Sequence, residues 1–207
     1  MLKIGLCGSS GAGKGYTCGI FKELGIEYID TDKVYVKIAT SGSDCVKELC
    51  MFFGDEICNE DGSLNRKKLS QTVFESQNAS QHLKVLNTVT HKYIKEMVLK
   101  MLDKFEKKGA KATVIDAPVL FESGFNTICD VTMCITAPLE LKIERIMERD
   151  RITYKKAVAR LESQLPDDTL RSLCDYEIVN DGERDVKEQI ENVLKSLNIC
   201  FEEEQHG

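Results

Sequence analysis

The chain has 207 residues, of which 42% are hydrophobic and 30% are charged. This is enough to bury one sizeable core, either as a single domain or as a core domain with an insertion. The formal net charge of −6 argues against a non-specific nucleic-acid binder, which needs a basic surface to neutralise phosphates. Because no stretch is long and apolar enough to span a bilayer, we expect a globular protein with neither nucleic acid nor membrane as partner.

The nine cysteines are odd in number, are scattered and contain no C-x-x-C pair. This usage is typical of reduced thiols inside a cytoplasmic protein. No charged and apolar leader precedes the first predicted strand. The expected location is therefore the cytoplasm.

The first predicted element is an apolar strand over residues 2–7, and a glycine-rich loop with the sequence G-S-S-G-A-G-K follows it at residues 8–14. Such a P-loop, between a strand and a helix, holds nucleotide phosphates with its backbone N–H groups, and its lysine reaches the β- and γ-phosphates. The motif normally closes with a serine or threonine whose hydroxyl binds Mg²⁺, but this chain has Gly15 there. A flexible surface loop is the alternative interpretation.

Helix- and strand-length segments alternate through the rest of the chain. A helix over residues 16–24 and a short strand over 26–29 are followed by a long helical stretch, whose longest helix is predicted over 79–107. Strands return at residues 112–116, 131–135 and 176–179, separated by helix-length segments. This order predicts an α/β fold with a five-stranded parallel sheet covered on both faces.

Polar residues follow three of the predicted strands. Asp32 follows the second strand, Asp116 ends the third and Asn180 follows the last. Ligands of open parallel sheets bind beyond the carboxyl ends of the strands, so these residues predict one pocket edge. The alternatives are that Asp30 or Asp32 only caps the next helix, that Asp116 is a satisfied acid, and that residues 180–182 form a plain turn.

Arginines follow the fourth strand. Arg145 and Arg149 are four residues apart and therefore share one helix face, and Arg160 comes shortly after them. A lid of arginines neutralises the charge that develops during phosphoryl transfer. The alternative is a solvated helix on which Glu144 and Glu148 balance the arginines.

Over almost its whole length the chain resembles the dephospho-coenzyme A kinases, which belong to the P-loop nucleoside-monophosphate-kinase-like group. The resemblance is carried, in chain order, by the loop at 8–14, L-G-I-E-Y-I-D-T-D at 24–32, F-G-D-E-I at 53–57, D-G-S-L-N-R-K-K-L at 61–69, His91, D-A-P-V-L-F-E at 116–122, Arg149-Asp150, Arg160 with Gln164, and Asp175 with Asn180 and Gly182. Val36 and Lys92 stand where the family usually has arginine and proline.

The resemblance implies a P-loop NTP hydrolase-like, three-layer α/β/α fold with a five-stranded parallel sheet, a helical acceptor-binding insertion and a helical lid. Residues 1–32 and 108–200 would form the nucleotide-binding core, and residues 33–107 the insertion that binds dephospho-coenzyme A. The lid would span residues 145–172, and residues 201–207 would form a disordered tail.

The implied activity is transfer of the γ-phosphate of ATP to the 3′-hydroxyl of the ribose in dephospho-coenzyme A, giving coenzyme A and ADP, the last step of coenzyme A biosynthesis. The implied catalytic residues are Asp32, Lys14, Arg145 and Arg149. The implied nucleotide-binding residues are Gly8, Ser9, Ser10, Gly11, Ala12, Gly13, Lys14, Gly15, Tyr16, Asn180 and Gly182. The implied acceptor-binding residues are Asp32, Arg66, His91, Pro118, Leu120, Phe121, Glu122 and Arg160.

ATP is the implied co-substrate and Mg²⁺ the implied metal ion. With Gly15 in the motif we expect no direct side-chain ligand to Mg²⁺; Asp32 or Asp116 acting through water is the alternative. Two other functions stay open: a nucleoside monophosphate kinase similar to adenylate kinase, and a non-catalytic nucleotide-binding regulator. The expected partners are small-molecule substrates alone, and the expected state is a monomer or a weak homo-oligomer.

Overall fold

A computed structural model describes residues 1–199 of the chain. Its centre is a five-stranded sheet in the order β2-β3-β1-β4-β5. The strands are β1 (Leu2–Gly8), β2 (Glu27–Asp30), β3 (Ala112–Asp116), β4 (Val131–Thr136) and β5 (Tyr176–Val179). Since β1 pairs in parallel with β3 and β4, and β4 with β5, the predicted parallel five-stranded sheet is confirmed.

Helices occupy most of the segments between the strands. They are α1 (Lys14–Glu23), α2 (Thr31–Ile38), α3 (Asp44–Phe53), α4 (Arg66–Phe74), α5 (Ala79–Lys107), α6 (Leu139–Asp150), α7 (Tyr154–Glu162), α8 (Asp167–Leu173) and α9 (Val186–Ser196), with short 3₁₀ turns at Asp55–Ile57 and Phe125–Ile128. Within residues 1–199, none of these helices has the length and apolar composition needed to cross a membrane. The tail predicted at 201–207 lies outside the described residues.

The chain divides into two compact units. The nucleotide unit comprises residues 1–29 and the described residues from Phe105 onward, and the helical unit comprises Asp30–Lys104. The boundaries predicted at residues 33 and 107 stay predictions.

The core of the nucleotide unit joins the sheet to α1 and α9. Its buried side chains include Ile4, Leu6, Phe21, Val114, Met133, Ile135, Ile178, Ile190 and Leu194. Full burial of a side chain of this size stabilises the fold by about 1.5–3 kcal/mol. In register, Leu6 lies beside Asp116 of β3 and Met133 of β4. A well-packed sheet therefore holds the carboxyl ends of β1 and β3 next to each other.

The helical unit begins with two helices where the sequence predicted one long helical stretch. The chain breaks between α2 and α3, where Gly42 has a φ of +72° and Ser43 caps α3 by accepting a hydrogen bond from the Val46 amide at 3.2 Å. Asn65 caps α4 in the same way, accepting from the Lys68 amide at 3.0 Å. The 3₁₀ turn after α3 packs against both α3 and α4, with Ile57 fully buried.

Candidate active site

The glycine-rich loop at residues 8–14 connects β1 to α1 and packs closely against its neighbours. Gly11 has a φ of +78°, and a Cβ atom there would lie 2.4 Å from the carbonyl oxygen of Lys142. Gly13 has a φ of +95°, and its Cβ would lie 1.9 Å from Nδ2 of Asn180. Both positions need glycine for backbone conformation and for space. The loop therefore has one packed conformation, which excludes the alternative of a flexible surface loop.

Lys14 is the first residue of α1, and its ammonium group forms an ion pair with Asp116 at the carboxyl end of β3. The Asp116 carboxylate, in a residue that is only 8% exposed, also accepts a hydrogen bond from the Tyr28 hydroxyl, to which the Cys18 thiol donates at 2.7 Å. Burial and the hydrogen bond to Asp116 raise the pKa of Tyr28, and burial raises the pKa of Cys18 to about 11. Both groups therefore stay neutral at pH 7 around one carboxylate and one ammonium.

Arg145 reaches the phosphate-binding loop from α6. Its Nη1 donates to the carbonyl oxygens of Gly11 and Asn180, both at 3.2 Å, and its Nη2 lies 3.4 Å from Oδ1 of Asn180. Asn180, 9% exposed, donates from Nδ2 to the Ala12 carbonyl at 2.8 Å. Both side chains therefore hold the backbone of the loop. Arg145 does not lie on a solvated helix face, and Asn180 does not only form a turn.

Arg149 and Arg160 share one carboxylate. Arg149 donates to both oxygens of Asp150, at 2.9 and 2.8 Å, and Arg160 pairs with the same group. The hydrogen bond from Arg149 lowers the pKa of Asp150 to about 2. The two guanidinium groups, 59% and 41% exposed, thus form a solvent-facing cationic site at the end of α6.

The helical unit carries three of the predicted residues. Asp32 lies exposed in the first turn of α2, and Asp30 is the residue that caps this helix, accepting from the Lys33 amide at 3.0 Å. Arg66, at the start of α4, stacks over the ring of Tyr35 at 5.2 Å. His91 is partly buried in α5, and burial lowers its pKa, which favours a neutral imidazole at pH 7.

The segment after β3 combines exposed and buried side chains. Pro118 and Glu122 are exposed and Phe121 is partly buried. Leu120 is fully buried, and its methyl groups lie 3.1 Å from a Cβ atom built on Gly5 of β1. Leu120 therefore supports this segment from the core side.

The first two residues after Lys14, Gly15 and Tyr16, border open space. Among residues 1–199, nothing lies within 4 Å of a Cβ atom built on Gly15, and Tyr16 is 62% exposed. Thr17, two positions further along α1, is buried, and its hydroxyl donates to the Gly13 carbonyl at 3.3 Å. Thr17 therefore does not replace the hydroxyl that Gly15 lacks. Gly182, in the turn after β5, is exposed.

Two charged residues that contact the loop were not among the predicted site residues. Lys142 of α6 is buried and pairs with Asp167, the first residue of α8, at 2.8 Å. The signal was present in the spacing, since Lys142 lies between Leu139 and Ile146 on the apolar stripe of α6, where a lysine is unexpected. Its partner could not be read from that pattern.

A P-loop lysine beside a carboxylate, at the carboxyl ends of the strands of a parallel sheet, is the arrangement of P-loop nucleotide-binding proteins. Comparison with known proteins identifies the family within this class. The family model for dephospho-CoA kinase matches residues 2–186. The chain belongs to the dephospho-CoA kinase family, whose members are ATP-dependent kinases.

Individual relatives agree with this assignment. The chain is 33% identical over 195 residues to a dephospho-CoA kinase from Lactobacillus johnsonii, covering 94% of this chain and 97% of that one. Among solved structures, it is similar to TT1252 from Thermus thermophilus, with a TM-score of 0.79, 26% identity and coverage of 95% and 97%. It is also similar to a dephospho-CoA kinase from Campylobacter jejuni, with a TM-score of 0.68, 25% identity and coverage of 94% and 96%.

Proposed function

We propose that this kinase transfers the γ-phosphoryl group of ATP to the 3′-hydroxyl of dephospho-coenzyme A, with the loop at residues 8–14 holding the ATP phosphates. The observation that carries the proposal is the Lys14–Asp116 ion pair at the carboxyl edge of the sheet, within a chain of this family. In the reaction, the bond between the γ-phosphorus and the bridging oxygen of ADP breaks as the acceptor oxygen bonds to phosphorus. Nearby cations stabilise the negative charge on the transferring phosphoryl group.

We assign the cationic roles to three residues. Lys14 binds the β- and γ-phosphates when it is released from Asp116, because a phosphate oxygen can replace the carboxylate as its partner. Arg145 keeps the loop in its binding conformation and lies near the phosphates, and Arg149 closes over the transferring group. The exposed Arg149–Asp150–Arg160 site has the charge required for such a lid.

We assign the acceptor's proton to Asp32. Asp32 is an exposed carboxylate in the first turn of α2, and a carboxylate is a group that can orient or deprotonate a hydroxyl. Arg66, His91 and the exposed residues of the segment 118–122 would then contact the acceptor, and Asn180 and Gly182 would lie near the adenine base.

Mg²⁺ fits this site as an ion held mainly by phosphate oxygens and water. Within residues 1–199 no three His, Cys, Asp or Glu side chains are grouped so that they could hold a metal ion. Magnesium sites of phosphotransferases commonly use one or two carboxylates plus substrate phosphates. Asp116, next to Lys14, is a hard oxygen donor suited to a water-mediated contact, as is Asp32. When bound, Mg²⁺ supplies charge neutralisation on the phosphates.

Asp32→Asn tests the proposed catalytic role. We expect kcat to fall by about 10²–10⁴-fold while the affinity for ATP is unchanged, because the substitution removes a general base but no contact to the ATP phosphates. Asp44→Asn is the matched control, since Asp44 also lies exposed in the first turn of a helix, α3. Wild-type turnover in Asp32→Asn, measured by coupled ADP release with dephospho-coenzyme A, would contradict the assignment.

We also infer a cytoplasmic location. Eight cysteines within residues 1–199 are free thiols, as expected in a reducing compartment. Cell fractionation with an antibody against the chain tests this inference, and recovery in a secreted or membrane fraction would contradict it.

A further inference from the structure

Lys142 is a charged residue that is buried in the nucleotide unit, although it has no role in the proposed reaction. Its side chain is 8% exposed, although it lies on a helix with many solvated positions. A buried ammonium group is costly unless it is paired and hydrogen-bonded. The structure supplies these partners. One is a residue of the phosphate-binding loop, and the other is a carboxylate that binds the same loop residue.

The partners form a closed cluster of three side chains, Ser9, Lys142 and Asp167. The Lys142 ammonium lies 2.8 Å from Oδ2 of Asp167 and donates to the Ser9 hydroxyl at 3.2 Å. The Ser9 hydroxyl donates in turn to Oδ1 of Asp167 at 2.8 Å. Ser9, the second residue of the loop, is 7% exposed. The three side chains therefore satisfy one another, with Ser9 and Lys142 buried and Asp167 partly buried.

A second contact joins the same two regions of the nucleotide unit. Ser10 donates its backbone N–H to Oε1 of Gln164 at 2.9 Å, and Gln164 lies between α7 and α8. The loop also packs on the Lys142 backbone at Gly11, where no Cβ atom could be accommodated. Three successive loop residues are thus held by α6 and by the segment leading into α8.

We propose that Lys142 and Asp167 are positioning residues for nucleotide binding, which fix the loop at Ser9 so that its backbone groups are ordered before the phosphates arrive. This rests on the proposed phosphate-binding role of the loop. The Ser9 hydroxyl and the Lys142 ammonium bind each other and Asp167, so they act through loop geometry. A loop that must be ordered during binding loses affinity, because the entropy of ordering is then subtracted from the binding free energy.

The segment from the last turn of α6 to the first residue of α8 also carries Arg149 and Arg160. Because Gln164 and Asp167 in this segment hold the loop, its order and the order of the loop are linked. The cluster therefore gives the predicted lid a direct connection to the phosphate-binding residues.

The test compares Lys142→Met with Lys195→Met, a control that removes an exposed lysine paired with Glu191 on α9. The probe is Mg²⁺-ADP, titrated calorimetrically at a temperature where circular dichroism shows each variant folded. We expect the Kd for ADP to rise by about tenfold or more in Lys142→Met, since small displacements of positioning groups have effects of this size. The control should bind as the wild type does.

Three further readouts separate positioning from general stability. Amide hydrogen exchange should become faster in the peptide containing residues 8–14 but not in the β4 peptide. The KM for ATP should rise more than kcat falls. The double variant Lys142→Gln/Asp167→Asn, which replaces the ion pair by a hydrogen-bonded neutral pair, should bind ADP more tightly than Lys142→Gln alone.

Wild-type ADP affinity in folded Lys142→Met would overturn the proposal. If Lys142→Met does not fold, a double variant that binds ADP no more tightly than Lys142→Gln would overturn it equally. ADP binding requires no acceptor, so the result is independent of whether dephospho-coenzyme A is the substrate.

Discussion

Gly13→Ala is the substitution whose effect follows most directly from the geometry of the loop. Gly13 has a φ of +95° and its Cβ would lie 1.9 Å from Nδ2 of Asn180. The left-handed conformation costs an alanine about 1–2 kcal/mol. Displacing Asn180 also removes its 2.8 Å hydrogen bond to the Ala12 carbonyl, and leaving a buried acceptor unsatisfied costs about 1–3 kcal/mol.

Together these effects predict a loss of about 2–5 kcal/mol in the free energy of unfolding. In a protein of this size that loss lowers Tm by about 4–20 °C. Binding of Mg²⁺-ADP should be lost as well, because relief of the clash moves the loop backbone. Thermal melting followed by circular dichroism, with and without ADP, measures both effects.

Gly19→Ala provides the matched control. Gly19 lies in α1, the helix that Gly13 precedes, and no atom of the described part of the chain lies within 4 Å of a Cβ atom built there. Alanine at such a position stabilises a helix by about 0.5–1 kcal/mol. A Gly13→Ala protein that melts like the wild type, and whose Tm still rises with ADP, would contradict the predicted clash with Asn180.

Three smaller predictions concern single groups of the site. Gly15→Ser has space for its side chain and restores the missing hydroxyl, so we expect half-maximal activity at a lower Mg²⁺ concentration; an unchanged Mg²⁺ titration would show that the hydroxyl is not needed. Tyr28→Phe removes the hydrogen bond to Asp116 and should lower the free energy of unfolding in urea by about 1 kcal/mol, whereas equal denaturation midpoints would contradict this. The pKa of Asp150 is lowered from 3.8 to about 2, chiefly by Arg149, so its stabilising effect is present above pH 4 and is lost as the pH falls towards 2. Asp150→Asn should therefore lose less stability than the wild type over that interval, and parallel acid-denaturation curves would contradict the assignment.

Hydrophobic periodicity located several elements at their observed bounds. The strands at Ala112–Asp116 and Tyr176–Val179 and the helix at Ala79–Lys107 were all predicted with the residues that the structure shows. These segments have strong two- or three-to-four-residue patterns bounded by turn residues. The break between α2 and α3 was not predicted, because it depends on one left-handed glycine and one serine cap inside a stretch with continuous helical spacing.

The site was predictable where it depended on local motifs. The P-loop and the strand-end residues Asp116 and Asn180 were found from spacing, and the structure shows both contacting the loop. The Lys142–Asp167 pair was not found, because its partners lie 25 residues apart on different helices and no local pattern joins them. Arg145 was predicted as a catalytic arginine, with a solvated helix as the alternative, but its hydrogen bond to the Gly11 carbonyl could not be predicted from a local pattern.

The identity of the acceptor is tested by offering the kinase three candidate acceptors. Dephospho-coenzyme A, AMP and CMP are supplied separately to the purified full chain with ATP and Mg²⁺, and each product is identified by mass and by the position of its new phosphate. We expect dephospho-coenzyme A to gain one phosphoryl group at the ribose 3′-oxygen with equimolar ADP, and AMP and CMP to remain unmodified. Phosphorylation of AMP or CMP in its place would identify a nucleoside monophosphate kinase, and ADP binding without any product would identify a nucleotide-binding regulator. Either result would contradict the proposed dephospho-coenzyme A kinase activity.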